Sequence, residues 1–130
     1  MGARLGKLLI DEVHWQLKWG KDAAWLQDVA DKDGHVPAAL LRRPEIPEEL
    51  RLFVDGFWTL CGSRQWTLSG PAPLPVSEMA AYLASIHPGL PPEWRSRALR
   101  LWQRMDQAYL EDILARTQSA APGSIKPAKK

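Results

Sequence analysis

Apolar residues fall at helical intervals along most of this chain. Leu5, Leu8, Leu9, Val13, Trp15 and Trp19 recur mostly at three- and four-residue steps, which predicts a helix near 4–19 with a broad stripe. Gly20 interrupts the pattern, and Asp22 stands where an N-cap belongs. Trp25, Leu26 and Val29 then mark a second short helix over 22–30. Asp31-Lys32-Asp33-Gly34 reads as a polar turn. From His35 to Pro47 the chain is a connector punctuated by Pro37, Pro44 and Pro47, with only Ala38 to Leu41 free to form a helical turn.

The clearest element comes next. Pro47 suits the first position of a helix, and Glu48 and Glu49 face its positive dipole end. Leu50, Phe53, Val54, Phe57, Leu60 and Cys61 lie at i, i+3, i+4, i+7, i+10 and i+11, so 47–61 is a helix with one apolar face. Gly56 inside it costs about 1 kcal/mol relative to Ala, and close packing is a physical reason for it. Gly62 ends it.

Gly70, Pro71, Pro73 and Pro75 make the following stretch loop or extended chain, in which Gln65-Trp66-Thr67-Leu68 forms a short strand or lies flat on the domain. Met79, Tyr82, Leu83 and Ile86 predict a helix over 76–86, stopped by His87-Pro88-Gly89. The last helix, 92–116, turns Ala98, Leu99, Trp102, Met105, Tyr109, Leu110 and Ile113 inward, with Arg97, Arg100 and Arg104 opposite.

These elements specify an all-α fold: a small bundle of four to five helices with a Pro/Gly-rich loop between the third and fourth. Its expected core is Phe53, Phe57, Leu60, Tyr82, Leu83, Trp102, Met105 and Tyr109. The expected domain is 1–116, with a helical extension at 1–31 and a core at 40–111, followed by a disordered basic tail over 117–130.

Composition narrows the function more than the fold. Formal charge is +2, but the tail holds Lys126, Lys129 and Lys130 and no acid, so the body has 14 basic against 15 acidic groups. A nucleic-acid binder is usually clearly basic, and this body is not. No run of apolar residues is long enough for a membrane helix. Cys61, the single cysteine, excludes an intrachain disulfide. Met1 to Ile10 lacks the apolar core of a signal peptide, so an intracellular protein is expected.

No catalytic constellation is visible. His14, His35 and His87 are too far apart for paired ligation on one helix, and Glu12-Val13-His14 is not a zinc-protease pattern. Cys61 sits on an apolar face at a helix C-terminus, where the dipole disfavours a thiolate. The Gly62 to Gly70 segment has no phosphate-loop ending. No metal, cofactor or catalytic residue is therefore expected, and the chain reads as a non-enzyme.

One polar residue stands out. Asp106 lies within the apolar face of the last helix, between Trp102, Met105, Tyr109 and Leu110, and a buried carboxylate needs a partner. Arg64 is the first candidate, and a tryptophan indole or a helix N-terminus the second. The pair reads as a structural staple, or alternatively as a binding determinant. Arg95, Arg97, Arg100 and Arg104 interleave with Glu93, Asp106, Glu111 and Asp112 and read as a solvated face. The rival function, a small nucleic-acid-binding regulator, would use Arg97, Arg100, Arg104 and the lysine tail.

Seven tryptophans and eleven prolines are high for 130 residues. Trp102 belongs to the core and Trp58 to the edge of the 47–61 face. Trp15, Trp19, Trp66, Leu68 and Trp94 are candidates for an exposed patch that binds a partner. A tryptophan-rich core under proline lids is the other reading.

From about Leu40 to Glu111 the order of features resembles a known family. Leu40-Leu41-Arg42-Arg43-Pro44-Glu45-Ile46-Pro47 leads into Phe57-Trp58-Thr59-Leu60, then Arg64, the Gly70-Pro71 to Leu74-Pro75 stretch, Ser77-Glu78-Met79 with Tyr82, and Met105-Asp106-Gln107-Ala108-Tyr109-Leu110. This resembles small proteins of the tail assembly chaperone type, encoded in the tail modules of long-tailed phages and prophages. The N-terminal helices lie outside it, and Gln65-Trp66-Thr67-Leu68 replaces a more Gly-rich loop. The resemblance implies a non-enzymatic helical protein of the host bacterial cytoplasm. It would keep the tape measure protein soluble and recruit tail tube subunits, with self-association admitted. A third expectation is a minor structural component of the virion tail. A chaperone of helical clients needs an apolar groove for amphipathic segments.

Overall fold

The computed structural model describes the backbone of residues 2–129 and the side chains of residues 4–118. It is all-α apart from one short β-hairpin. The chain gathers into two compact units, Met1–Val54 and Asp55–Lys130, and the division falls inside a helix.

In the first unit, α1 (Gly2–Trp19) buries Leu9, Val13 and Trp15 and passes through a 3-10 turn, Gly20–Asp22, into α2 (Ala23–Asp33). Asp22 occupies the N-cap of α2, but its side chain makes no capping hydrogen bond. The expected polar turn at 31–34 is also corrected. Asp31, Lys32 and Asp33 are helical, and the stop comes at Gly34, whose φ of 66° and N–H to the Ala30 carbonyl close the last turn. Exposed i,i+4 contacts, Gln27 to Asp31 and Lys32 to Asp28, carry the helix through those polar residues. The connector contains one short helix, α3 (Ala38–Leu41). Trp15, Leu26 and Ala39 form the core of these three helices, with Trp19, Ala23 and Leu40 packed against it.

α4 (Glu48–Cys61) starts one residue after Pro47, whose carbonyl accepts the Leu50 N–H at 2.9 Å. In the second unit, β1 (Trp66–Thr67) pairs antiparallel with β2 (Gly70–Pro71), Trp66 opposite Pro71 and Thr67 opposite Gly70. Gly70 takes a φ of 123°, which a side chain would strain. The Thr67 hydroxyl accepts from the Ser69 N–H and donates to the Gly70 carbonyl, which closes the turn. α5 (Val76–Ile86) and α6 (Pro92–Lys129) follow. The buried set is Phe57, Leu60, Leu74, Met79, Leu83, Trp102, Met105, Ala108 and Tyr109, while Tyr82 is only half-buried, with its ring tilted against Trp102 at 6.2 Å. Cys61, on the apolar face of α4, is half-buried too.

α6 outlasts the end near Arg116 that periodicity predicts. The Thr117 hydroxyl donates to the Ile113 carbonyl at 2.9 Å, and the element reaches Lys129. Most of the expected disordered tail, 117–130, has side chains outside the described residues.

Gly56 has the close approach that its cost implied. A Cβ there would lie 3.0 Å from Trp102 Cζ2 and 3.1 Å from Tyr82 Cε2. Trp102 is fully buried and has little room to retreat. Gly56→Val should therefore lower stability by about 2–3 kcal/mol. Gly56→Ala should be near neutral, since about 1 kcal/mol of helix propensity offsets the smaller clash. Equal denaturation midpoints for wild type and Gly56→Val would show that the rings do not close on this position.

Candidate functional site

α4 ends in a run of short turns: Gly62 N–H bonds to Thr59, Ser63 to Leu60 and Arg64 to Cys61. That unwinding sends the Arg64 side chain inward. Its Nη2 donates to Asp106 Oδ1 at 2.5 Å and to Cys61 Sγ at 3.2 Å, and its Nη1 donates to the Ala72 carbonyl at 2.8 Å. The guanidinium also stacks over the Tyr109 ring, 4.2 Å from its centroid. The second Asp106 oxygen accepts the Leu74 N–H at 3.0 Å. The side chains are 0% and 6% exposed, so water does not compete for these bonds. One carboxylate on α6 thus grips the chain through Arg64 before β1 and through Leu74 after β2, while Arg64 itself holds Ala72.

The electrostatics follow from this packing. Burial works against the Arg64 charge, but the hydrogen bonds to Asp106 and Cys61 outweigh it and raise the guanidinium above its ordinary value. Burial pushes the Cys61 thiol up, with Arg64 pulling it partly back, so it stays protonated at neutral pH. Burial likewise pushes the Tyr109 phenol up, against the pull of Arg64. Each oxygen of the Asp106 carboxylate accepts a hydrogen bond, one from Arg64 and one from the Leu74 N–H. This cluster is suited to holding a loop.

The held loop displays its tip. Trp66 is 61% exposed and Leu68 fully so, an arrangement that water disfavours and a partner can cover. Trp94, at the start of α6, is 53% exposed, with the Arg97 guanidinium 5.0 Å from its ring centroid. Arg95, Arg97, Arg100 and Arg104 are all exposed.

Two tryptophans proposed from sequence as partner contacts sit elsewhere. Trp15 is core: its indole N–H donates to the Ala39 carbonyl at 2.8 Å and Arg43 covers its ring at 4.5 Å. The short helix α3 closes over the broad stripe of α1, which is why a residue that looked surplus is enclosed. Trp19 is half-buried against the same cluster.

Two further residues stand out, Trp25, which the sequence placed among the crowded N-terminal tryptophans, and Glu12, which it did not single out. Trp25 is 64% exposed. Its neighbour Leu26 takes the inward position of α2, so a residue about 100° further round the helix must face out. Glu12 is fully buried, with Oε2 3.0 Å from Gln16 and 3.3 Å from Arg43. Its place three residues after Leu9 on the α1 stripe was the available signal.

Among the described residues no group of three or more His, Cys, Asp or Glu side chains is placed to hold a metal ion, and no helix is long and apolar enough to cross a membrane. No similarity to a curated protein or to a solved structure was found. A match to the phage tail assembly chaperone family covers residues 29–111, which takes in the Arg64–Asp106 pair, the hairpin and Trp94 and begins ahead of Leu40. With nearly two thirds of its length matched, this chain belongs to the phage tail assembly chaperone family.

Proposed function

We propose that this protein is a non-enzymatic chaperone that binds the tape measure protein, and through it or beside it the tail tube subunits, in the cytoplasm of the host bacterium. Family membership supports the general role. The observation that carries the binding reading is the hairpin tip, with Trp66 and Leu68 exposed above a base fixed by buried hydrogen bonds. A rigid base reduces the entropy lost when the tip is covered, so more of the contact energy appears as affinity. Trp94 supplies a second exposed aromatic within the matched region.

Co-expression with the tape measure and tail tube proteins, followed by pull-down, tests this. The full chain should retain one or both and raise the soluble fraction of the client. Trp66→Ser with Leu68→Ser should weaken retention by about tenfold or more, as loss of a central aromatic contact does. Its melting temperature should stay unchanged, because neither side chain is buried. The proposal fails if neither protein is retained and the client is equally soluble without this chain. Mass spectrometry of finished particles should not find the chain; its presence there would make it a structural component instead.

A further inference from the structure

We propose that the chain self-associates, the acidic outer face of α4 in one copy docking on the basic outer face of α6 in a second. On α4 the exposed positions are Glu48, Glu49, Leu52, Asp55 and Thr59. Glu48, Leu52, Asp55 and Thr59 are spaced i, i+4, i+7 and i+11, which puts them in one narrow stripe, with Glu49 beside it. Leu52, 51% exposed, is an apolar residue in an acidic row. Arg51, the basic residue of this helix, is half-buried at the edge.

The matching row is on α6. Arg97, Arg100 and Arg104 are exposed at i, i+3 and i+7, and Trp94 borders them, 53% exposed. No acid occurs between Trp94 and Met105. Glu93 and Glu111 stand at the two ends of this face, and Glu111 accepts from Gln107 at 3.1 Å. Asp106, the acid within reach by sequence, is buried against Arg64. The interleaving of charges that makes the helix look balanced on paper therefore does not hold on its surface.

The α6 row keeps like charges three and four residues apart, which costs that helix stability and is relieved by an opposing acidic row. The α6 row differs in this from a solvated helix that mixes signs, as α2 does with Asp28 and Lys32. Among the described residues none of Glu48, Asp55, Arg97, Arg100 and Arg104 is in an ion pair with its own chain. The rows also match in length. Glu48 and Asp55, like Arg97 and Arg104, stand seven positions apart, about 10 Å along a helix. Laid antiparallel, Glu48 meets Arg104 and Asp55 meets Arg97, while Leu52 lies against the methylene stem of Arg100 and beside Leu101. A nucleic acid or an acidic client would satisfy the α6 row alone. A second copy satisfies both rows at once, which is why it is the favoured occupant.

Sedimentation or light scattering of the full chain tests this. In low salt at about 100 µM the protein should run as a dimer or larger species, and at about 1 M salt, where the Debye length is only ~3 Å, as a monomer. Arg100→Glu with Arg104→Glu should weaken association by about tenfold or more, and Glu48→Arg with Asp55→Arg should do the same. Mixing the two variants should restore a complex, since one then carries two acidic rows and the other two basic ones. All four changes in one chain should also restore it. Circular dichroism melts would confirm that each variant is folded, as expected for exposed positions. A wild type that stays monomeric in low salt overturns the proposal. So does association that ignores both charge reversals, or that mixing does not restore. Loss of nucleic-acid or client retention on reversing Arg100 and Arg104, in a chain that is otherwise monomeric, overturns it in favour of that ligand.

Discussion

Asp106→Ala should lower the free energy of unfolding by about 3–5 kcal/mol. The substitution strips a buried guanidinium of its counter-charge and leaves the Leu74 N–H without an acceptor. Arg64 cannot simply turn to water, because the Ala72 carbonyl, Cys61 Sγ and the Tyr109 ring surround it. Uncompensated burial of a charge is among the largest single-residue costs. A domain of this size has roughly 5–15 kcal/mol in all, so the loss will dominate a urea denaturation curve. Asp106→Asn keeps an acceptor and loses only the charge, and should cost less, about 1–3 kcal/mol.

Replacing both partners, Arg64→Met with Asp106→Leu, should be milder than Asp106→Ala, since no bare charge remains. Gln103→Ala, exposed on the same helix, should change stability by under about 0.5 kcal/mol. Hydrogen exchange adds a local reading: amides of 66–74 should lose protection first in Asp106→Ala, because the carboxylate joins both sides of the hairpin. Small and equal effects in all the variants would mean that Asp106 faces water.

What was readable in the sequence, and what was not, follows from the range of the forces involved. Helical periodicity is local, and α5 spans Val76–Ile86 as its apolar spacing and the His87-Pro88-Gly89 stop imply. Asp106 was conspicuous because a carboxylate among Trp102, Met105 and Tyr109 breaks a regular pattern, and the need for a donor pointed toward Arg64. Asp22 at the start of α2 shows the limit of such local rules: the residue type is right, yet the preceding 3-10 turn already occupies the junction and no capping bond forms.

Contacts made by distant segments were harder to read. Trp15 and Ala39 are 24 residues apart and Glu12 and Arg43 are 31 apart, so nothing on α1 announces that α3 and the connector close over it. The end of α2 was misplaced for a different reason. Three polar residues resemble a turn, and only the left-handed Gly34 marks the true stop. The two-residue strands of the hairpin are too short for any period. They exist because the turn bonds of Thr67 and the anchors at Arg64 and Leu74 bring Trp66 opposite Pro71.

Trp15→Ala should destabilise the first unit by about 3–5 kcal/mol, the usual cost of emptying a buried aromatic site. The cavity would open among Leu26, Ala39 and the half-buried Trp19, and the Ala39 carbonyl would lose the indole N–H that satisfies it at 2.8 Å. Arg43 would lose its aromatic platform at the same time, while keeping its 3.3 Å contact with Glu12. Trp15→Phe should cost less, since it keeps most of the volume and gives up chiefly one hydrogen bond, net about 0.5–1.5 kcal/mol, with some packing. Trp25→Ala, on the exposed side of α2, should stay within about 0.5 kcal/mol of wild type. Denaturation followed by far-ultraviolet circular dichroism reads all three without depending on tryptophan fluorescence, which the substitutions themselves change. The order Trp15→Ala, then Trp15→Phe, then Trp25→Ala identifies Trp15 as a core residue. The reverse pattern, with Trp15→Ala as stable as wild type but deficient in client retention, would return it to the partner-binding surface that its crowded neighbourhood on α1 first suggested.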